Sequence, residues 1–243
     1  APRGGPRAAG AAALLVAPLS AGPVFAQVGD LPAGPIQRGR LIASGGGPGG
    51  AAQACFTCHG VAGEGQAASA FPRLGGQPVA YLYKQLEDYA AGRRPSDVMS
   101  PIAAALTPAD RHAVALYYAD RSGRATVSAP DRPDPGLVQA GGSISARGME
   151  GRLVQSCINC HGPGLAGLAP DYPRLAGQHP AYVAAELIAF KDGRRANDPA
   201  GVMRFIAGQL SASEIDALAA YAGSLSPGPD AGRTGLADAD RAA

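Results

Sequence analysis

Lysine is nearly missing from this 243-residue chain: of 21 cationic side chains only Lys84 and Lys191 are not arginine. Alongside 35 glycines and abundant alanine, that skew reads as codon bias rather than function. Nineteen acidic residues leave a formal charge of +2, too weak to mark a nucleic-acid partner, and no basic stretch is interleaved with aromatic side chains. No alternation of apolar and polar residues marks a strand, which leaves an all-α fold class. Downstream of residue 29 no apolar run is long enough to cross a bilayer. Cysteine is sparse too, at four, beside four histidines and three methionines.

All four cysteines fall in two copies of C-x-x-C-H, Cys55-Phe56-Thr57-Cys58-His59 and Cys157-Ile158-Asn159-Cys160-His161. The spacing carries chemistry. Two thiols three positions apart can add across the two vinyl groups of one haem, and the adjoining histidine then lies under the ring as an axial iron ligand. One copy alone would also suit a redox pair or half a zinc site. A zinc site built from the four cysteines leaves both following histidines unexplained, and structural disulfides at this spacing would close tight, redox-active loops. Two copies with no cysteine left over point to two covalent haem c groups, proximal ligands His59 and His161, and electron transfer.

The second half repeats the first. Phe71-Pro72-Arg73-Leu74-Gly75-Gly76-Gln77 matches Tyr172-Pro173-Arg174-Leu175-Ala176-Gly177-Gln178, and Gly92-Arg93-Arg94 matches Gly193-Arg194-Arg195. After an insertion in the second half, Val98-Met99 falls on Val202-Met203, Leu106 on Leu210 and Tyr117 on Tyr221. Two homologous haem domains are therefore expected at 27–121 and 143–225, with a Pro/Asp/Gly-rich linker at 122–142 and a disordered tail at 226–243. Residues 1–26 have the layout of a cleaved signal peptide: Arg3 and Arg7, an apolar core from Ala11 to Ala17, and Val24-Phe25-Ala26 ahead of Gln27. A retained N-terminal membrane anchor is the alternative, but Gly10, Pro18, Gly22 and Pro23 interrupt the uncharged run. Export to the periplasm agrees with the motifs, because bacteria attach c-type haem outside the cytoplasm.

Helical spacing recurs in both halves, at Leu82, Leu86 and Tyr89 and at Val183, Leu187 and Phe190, with Gly92 and Gly193 placed to end those helices. Thr107 to Asp110 and Ser211 to Glu214 predict capping-box starts for the last helix of each half. Ile215, Leu218, Ala219 and Ala222 form one apolar stripe behind the second. The sixth iron ligand follows from the repeat. A lone methionine is usually core filler, but Met99 and Met203 occupy equivalent places, each in an irregular stretch between two predicted helices. A thioether there gives His/Met ligation, which raises the reduction potential. Met149 precedes its motif and has no counterpart, so it reads as a packing or surface residue. His112 and His179 are unrepeated and read as surface residues; His179 is the one rival to Met203 as a ligand.

These motifs together, the paired C-x-x-C-H, the Pro-Arg-Leu-(Gly/Ala)-Gly-Gln segments, the helix ending in Gly-Arg-Arg and the downstream methionines, resemble the dihaem cytochrome c4 family over residues 37–225. The resemblance implies two class I cytochrome c domains in the periplasm. It also implies that the carbonyls of Pro72 and Pro173 accept from the proximal imidazoles, and that Leu74 and Leu175 pack on the haems. The glycine-rich segment 45–50 departs from the family and lengthens or breaks the first helix. Arg73, Arg174 and the Arg93-Arg94 and Arg194-Arg195 pairs either hold haem propionates or sit at solvated helix ends. The function implied is an outer-sphere carrier between a quinol-oxidising complex or dehydrogenase and a terminal oxidase, with redox proteins of the respiratory membrane as partners and no small-molecule substrate at the iron. A fixed cytochrome subunit of a membrane oxidase or dehydrogenase complex is the alternative. A dihaem peroxidase or thiosulfate-oxidising enzyme would need an open iron site or a cysteine ligand, and neither half offers one.

Overall fold

The computed structural model describes residues 1, 4–5, 34–121 and 133–226. The described residues from 34 onward lie in one compact unit. Apart from Ala1, Gly4, Gly5 and Ser226, the expected leader at 1–26 and tail at 226–243 lie outside the described residues. Among the described residues no helix is long and apolar enough to cross a membrane.

Among the described residues each half has five α-helices. The first half has α1 (Pro35–Gly45), α2 (Cys55–His59), α3 (Val79–Ala90), α4 (Met99–Ala105) and α5 (Pro108–Ala119). The second has α6 (Pro135–Arg147), α7 (Ile158–His161), α8 (Pro180–Lys191), α9 (Val202–Gly208) and α10 (Ala212–Ser224). Among the described residues only isolated bridges stand in for strands. The fold is all-α. The composition-based linker 122–142 is too long at its C-terminal end, because α6 begins at Pro135, behind an Asp134 side chain that accepts from Leu137 N at 3.0 Å. Gly141 and Gly142 lie inside that helix, although glycine is a poor helix former. The glycine-rich run 45–50 breaks the first helix rather than lengthening it: α1 stops at Gly45 and two short 3-10 turns follow.

In each half the first and last helices cross at a glycine. A Cβ on Gly39 would lie 2.0 Å from Ala113 O and 2.9 Å from Tyr117 Cβ; one on Gly141 would lie 2.0 Å from Ala217 O and 2.8 Å from Tyr221 Cβ. The backbones are in contact, so only hydrogen fits. Both expected capping boxes form. Asp110 N donates to Thr107 Oγ1 at 3.1 Å and Glu214 N to Ser211 Oγ at 3.3 Å, with the reciprocal bonds also made. Gly92 and Gly193 follow α3 and α8 at φ +71° and +73°, the left-handed conformation that stops a helix.

The cores differ slightly in build. Ile42, Ala43, Leu82, Leu106, Val114, Ala115 and the tyrosines 117 and 118 fill one cluster in the first half. The second half has two, one around Leu165, Val183 and Ala222 and the other around Val154, Leu210 and Ile215. Met149 packs on the latter, in a core role.

Candidate haem sites

The C-x-x-C-H motifs sit where each half turns from the short helix α2 or α7 into an extended loop. All four thiols are free and half-buried. Burial, with Cys58 alongside, pushes the Cys55 thiol up to about 11, and burial raises Cys157 as well. These are neutral thiols against apolar neighbours: Cys55 and Phe56 pack on the first core cluster, Cys157 on both clusters of the second half. Among the described residues no three His, Cys, Asp or Glu side chains converge.

Each proximal histidine is oriented by the loop that follows it. His59 Nδ1 lies 3.0 Å from Pro72 O, and His161 Nδ1 lies 2.9 Å from Pro173 O. A carbonyl only accepts, so Nδ1 carries the proton and Nε2 keeps its lone pair free for iron. Burial, only partly offset by that carbonyl, lowers both imidazoles below the usual histidine range and keeps them neutral. The prolines are placed by two-way backbone bridges one residue upstream: Gln66 with Phe71 at 3.0 Å each way, and Leu168 with Tyr172 at 3.1 and 2.9 Å. One residue past the repeated arginine, Leu74 N donates to Gly63 O and Leu175 N to Leu165 O, at 2.8 and 3.0 Å, holding both leucines half-buried on the cores.

Met99 is the first residue of α4 and Met203 the second of α9, both half-buried. They are at helix starts, not in the irregular stretches expected. His179 is turned the other way: its Nε2 donates to Glu64 O of the first half at 3.0 Å. His112 is exposed and meets Tyr83 edge-on. The donor set in each half, two thiols, an oriented neutral imidazole and a downstream thioether, suits one covalently attached haem c.

The arginines are not solvated helix ends, except Arg93 and Arg194. Arg73 and Arg174 are 2% and 3% exposed, and burial, then the nearby Arg174 guanidinium, bring Arg73 down to about 10. Their backbones are clasped across the two halves. Gln77 Nε2 donates to Arg174 O (2.8 Å) while Gln77 Oε1 accepts from Arg174 N (2.9 Å); Gln178 does the same to Arg73, at 3.0 and 2.8 Å. Arg94 and Arg195 also turn into the interface. They bind the two oxygens of one carboxylate, Glu186, at 2.6 and 2.7 Å, and lie over the Tyr89 and Phe190 rings. Sequence reasoning quoted Gln77 and Gln178 as part of the repeat without a role. Their identity in both halves was the only available signal.

The fold and the paired sites define a tandem c-type cytochrome. The family described as Cytochrome c matches residues 49–119, and that described as cytochrome c oxidase, cbb3-type, subunit III matches residues 145–221. A thiosulfate dehydrogenase electron acceptor of Stutzerimonas stutzeri (strain A1501) is 40% identical, over 75% of this chain and 84% of its own length. The structure of reduced cytochrome c4 from Pseudomonas stutzeri superposes with TM-score 0.66 at 32% identity, covering 79% of this chain and all of that one. The thiosulfate dehydrogenase (TsdBA) structure from Marichromatium purpuratum gives TM-score 0.73 at 38% identity, covering 79% of this chain and 40% of that longer one. The chain belongs to the dihaem cytochrome c4 family and is an electron carrier with two covalently bound haem c groups.

Proposed function

We propose that the chain works in the periplasm, takes electrons from a thiosulfate dehydrogenase and passes them to a terminal oxidase of the respiratory membrane. His59 and Met99 are the axial ligands in the first half, His161 and Met203 in the second. The observation that carries the carrier chemistry is the repeated proximal geometry, with each Nδ1 committed to a proline carbonyl and a methionine downstream in both halves. Bound haem supplies the one-electron couple. The chain supplies fixed imidazoles, dry surroundings and buried guanidinium groups at Arg73 and Arg174 that suit the propionates. The donor is inferred from the Stutzerimonas relative, named for accepting electrons from that enzyme.

The test is direct. Catalytic amounts of a thiosulfate dehydrogenase with thiosulfate should reduce both haems of the oxidised protein, followed by stopped-flow absorbance. Reduction by dithionite but not by the enzyme would overturn the donor assignment. The fixed-subunit reading has one observation in its favour, the match of residues 145–221 to an oxidase subunit family. Stoichiometric co-purification with an oxidase from detergent-solubilised native membranes would support it, and recovery wholly in the soluble fraction would exclude it.

A further inference from the structure

The two halves differ in length where the chain approaches its methionine: four residues separate Arg94 from Met99, and seven separate Arg195 from Met203. The short run is held by its own neighbours. Met99 N donates to Ser96 Oγ and Ser96 N to Ser100 Oγ, each at 3.0 Å. The long run is held from the other domain. Asn197 Nδ2 donates to Asp88 Oδ2 at 2.6 Å and to Gln85 Oε1 at 3.0 Å, both on α3, and Lys84 Nζ donates to Asn197 O at 2.8 Å. Asn197 Oδ1 accepts from Arg195 Nε at 3.0 Å. The side-chain amide thus has both its donor and acceptor atoms engaged, and two of its partners belong to the first half.

The next residue passes this anchorage on. The Asp198 carboxylate, almost fully buried, accepts from Arg204 N at 3.0 Å and from Arg204 Nε at 2.8 Å. That ties the inserted run to the first turn of α9, where Met203 sits. A methionine side chain has three rotatable bonds and a free seven-residue run has many conformations, so holding a thioether in place needs a fixed backbone beneath it.

We propose that Asn197 is a positioning residue through which the first haem domain holds Met203, so that ligation of the second haem depends on docking of the first domain. The proposal rests on Met203 being an axial ligand, and the test separates the two claims. In Met99→Ala protein the near-infrared charge-transfer band of ferric His/Met haem reports the second site alone, and adding Met203→Ala should abolish it. A band that survives defeats the ligand assignment, whatever Asn197 does. With that control met, Asn197→Ala, which removes both donors, should weaken the remaining band, and in the otherwise native chain it should lower the second haem's potential while the first stays put.

Asn197→Asp should do the same, because two carboxylates then face each other. A role confined to folding would reduce thermal stability without a change in band or potential. An unaltered band and potential in Asn197→Ala would overturn the proposal.

Discussion

A histidine that spends one ring nitrogen on a backbone carbonyl has only one left to offer a metal, and His59 and His161 both make that choice through Nδ1. The motif spelling was enough to name His59 and His161. The equality of the two halves singles out Met99 and Met203 as expected ligands over Met149, which packs half-buried on a core cluster of the second half. Replacing Met99 or Met203 by alanine should each remove about half of the near-infrared band and lower one haem's potential, since thioether ligation raises it. Met149→Ala should leave the spectrum intact. An undiminished band in either of the first two would mean another sixth ligand. The arginines were less legible. A guanidinium beside a helix-ending glycine looks the same in sequence whether it faces water or, as Arg94 does, a carboxylate across an interface.

Helix starts and stops were written locally, and so they could be read locally. Thr107 acts on Asp110 and Ser211 on Glu214, each three residues away, and Gly92 and Gly193 each end the helix just before them. The crossing of α1 over α5 and of α6 over α10 depends on residues more than 70 positions apart, and nothing near Gly39 or Gly141 announces it. Gly141 was absorbed into a linker for that reason: its glycine is required by tertiary contact, against its own helix propensity. Gly141→Ala would drive a methyl group into Ala217 O, at a cost of about 3 kcal/mol or more given the usual penalty for overpacking. Gly45→Ala, where a Cβ meets nothing within 4 Å, should be neutral or stabilising by about 0.5–1 kcal/mol. Denaturant midpoints for the two variants would decide it, and equal midpoints would refute the crossing as described.

The two domains share the glutamine clasps at their interface, but the likeness fails at several charged positions: Lys84 and Asp88 fall on Ala185 and Ala189, and Gln85 on Glu186. Glu186 on α8 corresponds in the repeat to Gln85 on α3, so one carboxylate serves both Arg94 and Arg195. Burial alone would raise the Glu186 carboxyl, but the two guanidinium groups outweigh it and hold it below the usual range. A carboxyl lowered on folding adds stability above its unfolded pKa, about 4.3 for glutamate, and that stability is lost as pH falls through the lower folded value. Denaturation midpoints should therefore fall below about pH 4 in the native chain. Glu186→Gln should be less stable at neutral pH and show a flatter acid dependence; parallel curves would remove Glu186 from the account. The glutamine clasps have a wider consequence. Gln77 grips the backbone of Arg174 as Gln178 grips that of Arg73, so each half presents the same surface and the same hold, the signature of a self-complementary contact. A single ancestral domain with this patch already has what it needs to pair with its own copy. Gene duplication and fusion then invent no new surface: they turn a bimolecular encounter into an intramolecular one, and leave each copy free to drift, as Gln85 and Glu186 have done.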